Sequence, residues 1–196
     1  MRRVIEAKVV QSKNTVALAR WLLGKTLVTV DAAGVLHRSR ICETEAYHGE
    51  DDRACHASRA RTPRTEVMYA AGGVWYVYLC YGIHEMLNLV TGPQGQPSAV
   101  LIRSVEAVAG PGRLTRKFGI NRRFNGCPAT PASGLWLEDD GFQPSPEKIR
   151  ATPRIGVDYA GPVWAAKPWR FTYEPEVMAS PPPPRLPARR VDRSAR

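Results

Sequence analysis

Hydrophobic and polar residues alternate most regularly in residues 74–80, where Trp75 and Val77 share one side and Tyr76 and Tyr78 the other. Alternation with a period of two is typical of a β-strand, and here it predicts one apolar face and one face that carries phenol groups. Similar stretches predict further strands. They are residues 26–30, 35–45, 83–90 and 99–105, with shorter strands near residues 135–137 and 169–173.

Helices are predicted at only two places. Asn14 is suited to cap a helix that ends at Gly24, and residues 110–118 predict a short basic helix. The positions that the first helix would bury are Leu18, Trp21 and Leu22. Because short turns join the strands and few helices alternate with them, the sequence predicts an α+β fold with a mostly antiparallel sheet flanked by short helices.

The length of 196 residues suits one globular domain, which we assign to residues 1–179. Within it, residues 46–73 lack clear periodicity and predict a long loop, a feature that is often functional in compact domains. The segment from residue 180 has four consecutive prolines and then five arginines. This composition predicts a disordered tail over residues 180–196.

Positive charge is the most unusual feature of the composition. Lys and Arg number 28 against 18 Asp and Glu, which gives a net charge of +10 and a pI near 9.8. Residues 53–123 hold ten basic residues against three acidic ones. This excess indicates an anionic partner, and basic residues interspersed with aromatic ones suit a phosphate backbone together with an unstacked base. A solvated basic loop beside a tyrosine-rich strand would give the same pattern.

The cysteines exclude some other classes of protein. Cys42, Cys55, Cys80 and Cys127 form no C-x-x-C pair and fit no zinc spacing, so we expect reduced thiols in an intracellular protein. No stretch of about 18 apolar residues is present, and no membrane span or membrane partner is expected. The first residues lack an apolar stretch, so no secretory signal is expected either.

Two carboxylates lie at the end of the second predicted strand. Glu43 and Glu45 are two positions apart, so their side chains are expected on the same face. Paired carboxylates suit acid–base chemistry because repulsion and burial raise the pKa of one of them. Such a pair on an exposed strand is far more common, however, and only the neighbouring segments give it weight.

Several short segments occur around this pair in a shared order. They are LLG at 22–24, ETEAY at 43–47, RTPR at 61–64, YVYLCYG at 76–82, LIR at 101–103, GP at 110–111 and RIG at 154–156. The series resembles the alkyladenine (3-methyladenine or methylpurine) DNA glycosylase family over about residues 18–171. The resemblance implies the curved antiparallel sheet of that family, similar to the C-terminal domain of formyltransferases. It also implies hydrolysis of the N-glycosidic bond of damaged purines without a metal or cofactor.

The resemblance implies a catalytic role for two of these residues. Glu45 would be the general base that activates the water attacking C1′ of the sugar, and a half-buried carboxylate beside Arg103 suits that task. Arg103 would help to hold the water, and Glu43 would at most support the pair. No lysine or N-terminal proline occupies the motif as a nucleophile, so the product would be an abasic site in an uncut strand.

The resemblance also implies how the base is bound. Aromatic rings would enclose the flipped base and attract a cationic purine, and Asn88 would crowd the 2-amino group of guanine. Ile155 would meet the purine edge through a backbone group. The residues implied for the base pocket are Tyr47, His56, Tyr78, Asn88 and Ile155. The expected lesions are 3-methyladenine, 7-methylguanine, hypoxanthine and ethenoadenine.

Contact with the rest of the duplex is expected from a separate group of residues. Tyr81 would fill the gap that the flipped nucleotide leaves. Other residues expected to bind DNA are Arg59, Arg61, Arg64, Met68, Tyr69, Arg113 and Arg122. The expected partner is double-stranded DNA with damaged purines, and the expected enzyme is a cytoplasmic monomer, associated with the nucleoid if the host is a bacterium.

Three other functions use some of the same residues. A nucleic-acid-binding module without catalysis keeps the basic surface and the tyrosines but treats Glu45 as structural. A sugar hydrolase would use Glu43 and Glu45, although same-face carboxylates on one strand suit the roughly 5–9.5 Å separation across a glycosidic bond poorly. A metal hydrolase that uses Cys and His would lose its activity in a chelator.

Overall fold

The structure is a computed structural model that describes residues 1–175; the tail predicted from residue 180 lies outside the described residues. The strands are β1 (Arg3–Val4), β2 (Thr26–Val30), β3 (Leu36–His48), β4 (Trp75–Cys80), β5 (His84–Val90), β6 (Ser98–Val105), β7 (Leu135–Asp139), β8 (Ile149–Thr152) and β9 (Arg170–Tyr173). The α-helices are α1 (Ala7–Val10), α2 (Thr15–Trp21), α3 (Pro111–Lys117) and α4 (Pro162–Ala165). Short 3₁₀ helices cover His56–Ser58, Glu66–Tyr69, Arg122–Phe124, Pro131–Ser133, Pro146–Lys148 and Asp158–Ala160.

The strands of the described residues form one antiparallel sheet of nine strands. Its main path follows the order β1-β7-β2-β3-β6-β5-β4, while β9 pairs with β3 and β8 pairs with β9. Only short helices accompany the sheet, so the predicted α+β class with a mostly antiparallel sheet is confirmed. The sequence did not predict β1, which has two residues, or β8, whose burial does not alternate.

Strand β3 joins two parts of the sheet. Its first half, residues 36–40, pairs with β2, and its second half, residues 41–48, pairs with β6. Residues 43–45 also pair with β9, and register shifts interrupt the pairing with β6 around Glu43. The predicted end at residue 45 is three residues early, because the strand continues along β6 as far as His48.

One face of the sheet, which we call the core face, packs against α2 and α3. Trp75 and Val77 lie in the main hydrophobic cluster, and the indole N–H of Trp75 donates to the carbonyl of Leu135 at 2.9 Å. The predicted helix cap at the start of α2 is present, because the Asn14 side chain accepts from the N–H of Ala17 at 3.0 Å. The tyrosines of β4 therefore lie on the opposite face.

That opposite face, which we call the pocket face, carries a second hydrophobic cluster built around Tyr76, with Tyr47 and Tyr78 partly buried against it. The long loop was predicted over residues 46–73; residues 46–48 belong to β3, and the rest folds over this face and contributes four of the buried side chains of the cluster. These are Cys55, Ala57, Met68 and Tyr69. The loop is thus a packed cover over the pocket face, and its two 3₁₀ helices were not predicted.

The turn between β4 and β5 projects from the sheet. Tyr81 is 91% exposed and Ile83 is 69% exposed. Tyr81 has a φ of 50°, and among the described residues no other non-glycine residue has a positive φ. A left-handed backbone costs about 1–2 kcal/mol for a residue with a side chain. An exposed tyrosine held in this conformation is a feature that often marks a functional position.

Candidate active site

The register of the sheet brings the predicted site residues together. Tyr76 pairs with Asn88, Asn88 with Leu101, and Leu101 with Glu45. Residues that pair directly across strands point to the same face, and so do residues two positions further along a strand. The predicted residues on the pocket face are therefore Glu45, Tyr47, Tyr78, Asn88 and Arg103.

Glu45 is fully enclosed by protein, with 0% of its surface exposed, so the expectation of a half-buried carboxylate is wrong. Its Oε1 accepts a hydrogen bond from the backbone N–H of Ile155 at 2.8 Å. Its Oε2 accepts one from the Tyr47 hydroxyl at 2.8 Å, and Nη1 of Arg103 lies 3.4 Å from the same oxygen. Contacts at both oxygens fix the orientation of the carboxylate and leave its remaining lone pairs in a defined direction.

Arg103 lies between two carboxylates, because its Nε donates to Oε1 of Glu43 at 3.0 Å while Nη1 faces Glu45. Ser104 and Arg170 donate further hydrogen bonds to Glu43. Burial raises the pKa of Glu43, but the hydrogen bonds from Ser104 and Arg170 and the charge of Arg103 outweigh it, so the pKa lies below its ordinary value. Glu43 is therefore an ionised partner of Arg103 at neutral pH.

Aromatic rings line the pocket face beside Glu45. The rings of His56 and Tyr78 are 4.7 Å apart between centroids, and those of Tyr76 and Tyr78 are 5.2 Å apart. Nδ1 of His56 and the hydroxyl of Tyr76 are hydrogen-bonded at 3.0 Å. The alternation in β4 predicted that the Tyr76 phenol lies on this face but indicated no role for it. The contact between Tyr76 and His56 depends on how the loop folds over the sheet.

Burial keeps these rings uncharged. Burial, followed by the charges of Arg64 and Arg59, lowers the pKa of His56 to about 4. Burial also raises the pKa of Tyr47 and of Tyr78. At neutral pH the site thus presents a neutral imidazole and neutral phenols, which are electron-rich surfaces without a positive charge of their own.

His56 is expected to make the protein less stable in mild acid. The unfolded histidine has a pKa of about 6.5 and the folded one of about 4, so the unfolded chain binds more protons between these values. The free energy of unfolding therefore has its full value when the pH is well above 6.5. It decreases as the pH falls, by about 2 kcal/mol at pH 5. Urea unfolding of wild type and His56→Gln at pH 7.5 and pH 5 should show a smaller loss in the variant. Equal losses would contradict a neutral His56.

Asn88 and Ile155 are fixed by their backbone surroundings. Asn88 is 3% exposed, and its side-chain amide donates to the carbonyls of Tyr76 and Met86 at 3.1 and 3.3 Å. The Ile155 side chain is 50% exposed, but its N–H is already bonded to Glu45. Of the two backbone groups of Ile155, the carbonyl is therefore the one that remains for a purine edge.

The loop that covers the pocket face carries three exposed arginines that were expected to bind DNA. The guanidinium of Arg64 lies 5.0 Å from the Tyr78 ring centroid, and that of Arg59 lies 5.3 Å from the Tyr159 ring. Arg61 is paired with Glu66 at 2.6 Å. All three guanidinium groups thus lie over aromatic rings, that of Arg61 at 4.6 Å from the Tyr69 ring centroid.

Two further residues expected to bind DNA are buried. Met68 is 2% exposed and Tyr69 is 7% exposed, because both pack beneath the loop in the second hydrophobic cluster. Their side chains support the loop and do not face solvent, and contact of these two positions with DNA stays a prediction. Arg113 and Arg122 are exposed, and Arg122 pairs with Glu85 of β5 at 3.1 Å.

A buried ion pair that the sequence did not predict lies next to this site. Arg154 and Asp52 both have fully buried side chains and form two contacts, of 2.5 and 2.8 Å. Arg154 belongs to the RIG segment used for the family resemblance, but Asp52 lies in a loop rich in acidic residues. A separation of 102 positions gives no local signal that the two residues meet.

Within the described part of the chain, no group of three or more His, Cys, Asp or Glu side chains is placed to hold a metal ion. The four cysteines are free thiols in the structure. In residues 1–175, no helix is long and apolar enough to cross a membrane.

Known proteins resemble this chain over most of its length. A sequence model of the methylpurine-DNA glycosylase family matches residues 9–110 and 106–176. A putative 3-methyladenine DNA glycosylase of Psychrobacter cryohalolentis is 46% identical, and the match covers 83% of this chain and 87% of the relative. A protein with the same description from Anaeromyxobacter dehalogenans is 44% identical, and the match covers 88% of this chain and 84% of the relative. One from Myxococcus xanthus is 45% identical, and the match covers 88% of this chain and 92% of the relative.

These similarities agree with the geometry of the pocket face. The family match includes all three segments that supply the described contacts of Glu45, namely β3, β6 and the residues around Ile155. The match therefore confirms the resemblance inferred from the short segments, and the chain belongs to the methylpurine-DNA glycosylase family.

Proposed function

We propose that this protein is a base-excision-repair glycosylase that removes alkylated or deaminated purines from double-stranded DNA. The proposed lesions are 3-methyladenine, 7-methylguanine, hypoxanthine and ethenoadenine. The observation that carries the proposal is the fully buried Glu45, held at both oxygens beside four aromatic rings. The relatives of this chain are described as putative 3-methyladenine DNA glycosylases, and this description supports the same reaction.

In the proposed mechanism, Glu45 accepts a proton from the attacking water. The water oxygen forms a bond to C1′ of the sugar while the bond between C1′ and the purine nitrogen breaks, and the purine takes the electron pair. A purine methylated at N3 or N7 becomes neutral as it leaves, whereas a neutral lesion needs a proton. The described hydrogen-bond partners of Glu45 are Ile155, Tyr47 and Arg103, and the proposed mechanism uses water and no amine nucleophile. The proposed product is an abasic site in an intact strand.

The neutral rings suit a flipped base. Loss of stacking costs a few kcal/mol, which contact with aromatic surfaces restores. We propose that the base is bound between Tyr47 and the contacting rings of His56 and Tyr78. Because the pKa of His56 is about 4, the imidazole does not repel a cationic purine, and the phenol faces attract it. We propose that Asn88 rejects the 2-amino group of guanine, and its two hydrogen bonds to backbone carbonyls, which hold it rigid, support this role.

The arrangement favours this reaction over a sugar hydrolase. Glu43 and Glu45 share the guanidinium of Arg103, so both lie on one side of any ligand. A glycosidase with two carboxylates needs them on opposite sides of the scissile bond. The basic exposed surface also suits DNA.

We propose that the enzyme acts as a monomer in the cytoplasm, beside the nucleoid if the host is a bacterium.

Tyr81→Gly is expected to separate stability from activity. Glycine adopts a positive φ without strain, so the free energy of unfolding should be unchanged or higher. Base release from duplex DNA should fall roughly tenfold or more, because no side chain then fills the gap left by the flipped nucleotide. Release from single-stranded DNA should change much less. Ile83→Ala, on the same turn, is the control; an equal loss there would contradict a specific role for Tyr81.

Base release should also persist in EDTA. The proposed reaction uses a carboxylate and water, and it places no metal ion at the pocket face. Single-turnover assays with and without the chelator on a hypoxanthine duplex test this prediction. Loss of activity that is restored by added zinc would instead support a metal hydrolase.

A further inference from the structure

The backbone N–H that holds Glu45 belongs to a segment with little support of its own. Pro153, Ile155 and Gly156 are all exposed, and this segment lies between β8 and the next 3₁₀ helix without pairing to a strand. Arg154 and Val157 are the exceptions, at 5% and 3% exposure. Arg154 directly precedes Ile155, so the way its side chain is held bears on the position of the Ile155 N–H.

Arg154 is held by several groups at once. Its Nη1 donates to the carbonyl of Ala46 at 2.8 Å, and its two terminal nitrogens contact the two carboxylate oxygens of Asp52. Ala46 is the residue directly after Glu45 in β3. Arg154 thus contacts Ala46 through its side chain, and Ile155 contacts Glu45 through its backbone N–H.

Asp52 connects this contact to the start of the loop over the pocket face. Its Oδ2 accepts from the backbone N–H of His48, and its Oδ1 accepts from that of Ala54, each at 3.1 Å. The end of β3, the beginning of the loop and the segment after β8 therefore meet at one carboxylate. Removal of its charge would leave the buried guanidinium without a counter-ion.

The guanidinium also lies between two aromatic rings. Its carbon is 4.9 Å from the Tyr47 ring centroid and 5.1 Å from the Trp169 ring centroid. Lys167 continues the series, at 5.1 Å from Trp169 and 4.9 Å from Trp164. Arg154 thus supports the ring of Tyr47, whose hydroxyl donates to the other oxygen of Glu45.

Stability alone is a weak reason for this arrangement. Well-packed apolar residues often replace a buried ion pair with no loss of stability. The Nε of Arg154 is also buried without a hydrogen-bond partner among the described residues, an arrangement that lowers stability. The pair therefore fits a role in geometry better than a role in stability.

We propose that Asp52 and Arg154 are positioning residues for Glu45, and this inference rests on the proposed glycosylase function. Arg154 holds the Ile155 N–H on Oε1 and the Tyr47 ring that presents its hydroxyl to Oε2. Asp52 holds Arg154. Among the described contacts neither residue forms a hydrogen bond or ion pair with Glu45, although the charge of Arg154 is close enough to interact with it, so both hold its geometry through these two donors.

The test compares two variants with different chemistry. Arg154→Lys keeps the charge but loses the paired contact with Asp52, and Asp52→Asn keeps the shape but loses the charge. For each variant we would measure the single-turnover rate of 7-methylguanine release, the Kd for the same duplex and the Tm. We expect a rate loss of about 100-fold in each variant at unchanged Kd, the effect typical of a reacting group displaced by about 1 Å.

A double-mutant cycle separates positioning from a merely structural role. If Arg154 acts through Glu45, Arg154→Lys should cause no further loss in a Glu45→Gln background. The cationic 7-methylguanine keeps the residual rate measurable, because it leaves without being protonated. If Arg154→Lys does not fold, Asp52→Asn carries the same cycle.

A matched control is available away from the site. Arg40 forms a similar two-contact pair with Asp140, at 2.7 and 3.0 Å, and stacks on Phe142. Arg40→Lys should leave the rate of base release unchanged. An unchanged rate in folded Arg154→Lys, or an equal loss in the Glu45→Gln background, would overturn the inference. Absence of base release by wild type would count instead against the proposed function.

Discussion

Glu45→Gln is expected to lower the rate of base release by at least about 100-fold while leaving duplex binding unchanged, because a general base contributes roughly 10²–10⁴ to a rate. Glutamine keeps the shape of the side chain, and its oxygen can still accept from the Ile155 N–H. It cannot accept a proton from water. The measurement is alkali cleavage at abasic sites in oligonucleotides with one hypoxanthine, ethenoadenine or alkylated purine.

Two comparisons make this experiment decisive. Glu43→Gln alters the partner of Arg103 but leaves the carboxylate of Glu45, so a smaller loss is expected. Release by wild type and not by Glu45→Gln would establish both the reaction and the role of Glu45. If neither protein released any base and both bound the duplex tightly, a non-catalytic binding module would replace the proposed function.

Arg103→Met is expected to reduce both stability and activity. The side chains of Arg103 and Glu43 are 13% exposed and that of Glu45 is 0% exposed, so removal of the arginine leaves buried negative charge poorly compensated. Breaking a buried ion pair in this way costs about 3–5 kcal/mol, and we expect the lower end because Arg170 still contacts Glu43. Base release should fall about 100-fold or more as the carboxylate and its water lose a fixed neighbour.

Arg122→Met provides the matched control for stability. Arg122 also pairs with a glutamate, but its side chain is 62% exposed, and exposed ion pairs contribute about 0–1 kcal/mol. Urea unfolding at pH 7.5 should therefore separate the two variants clearly. Similar losses in both would mean that solvent or neighbouring groups compensate the charge of Glu45 without Arg103.

Local patterns were enough to predict much of the sheet and the first helix. The alternation in residues 74–80 separated Trp75 from Tyr76 correctly, because packing of one strand face depends on neighbours at spacing two. The same rule could not predict that β3 continues to His48, or that Ile149–Thr152 forms a strand. Both features depend on pairing partners distant in the sequence, which a single local stretch does not encode.

The candidate site was predictable where its residues share a strand and not where loops meet. Spacing placed Glu43 and Glu45 on one face, and in the structure both carboxylates contact Arg103. No local pattern predicted that Asp52 meets Arg154, that Tyr69 is buried or that Glu45 is fully enclosed. These features appear only when the loop and the segment after β8 close over the pocket face. The roles of the site residues stay predictions until the variants are measured.

The contacts of Glu45 also determine when during folding this carboxylate becomes competent. Its backbone donor lies 110 positions further along the chain, and β9, which pairs with residues 43–45, comes later still. During synthesis the N-terminal part of the chain leaves the ribosome first. Contacts between residues that are distant in the sequence form late. A nascent chain that ends before residue 154 carries the rings, the carboxylate and its donors Tyr47 and Arg103, but not the Ile155 N–H that holds the other carboxylate oxygen. Hydrogen exchange at the Ile155 amide should therefore report the last step of assembly, when a folded sheet becomes an enzyme.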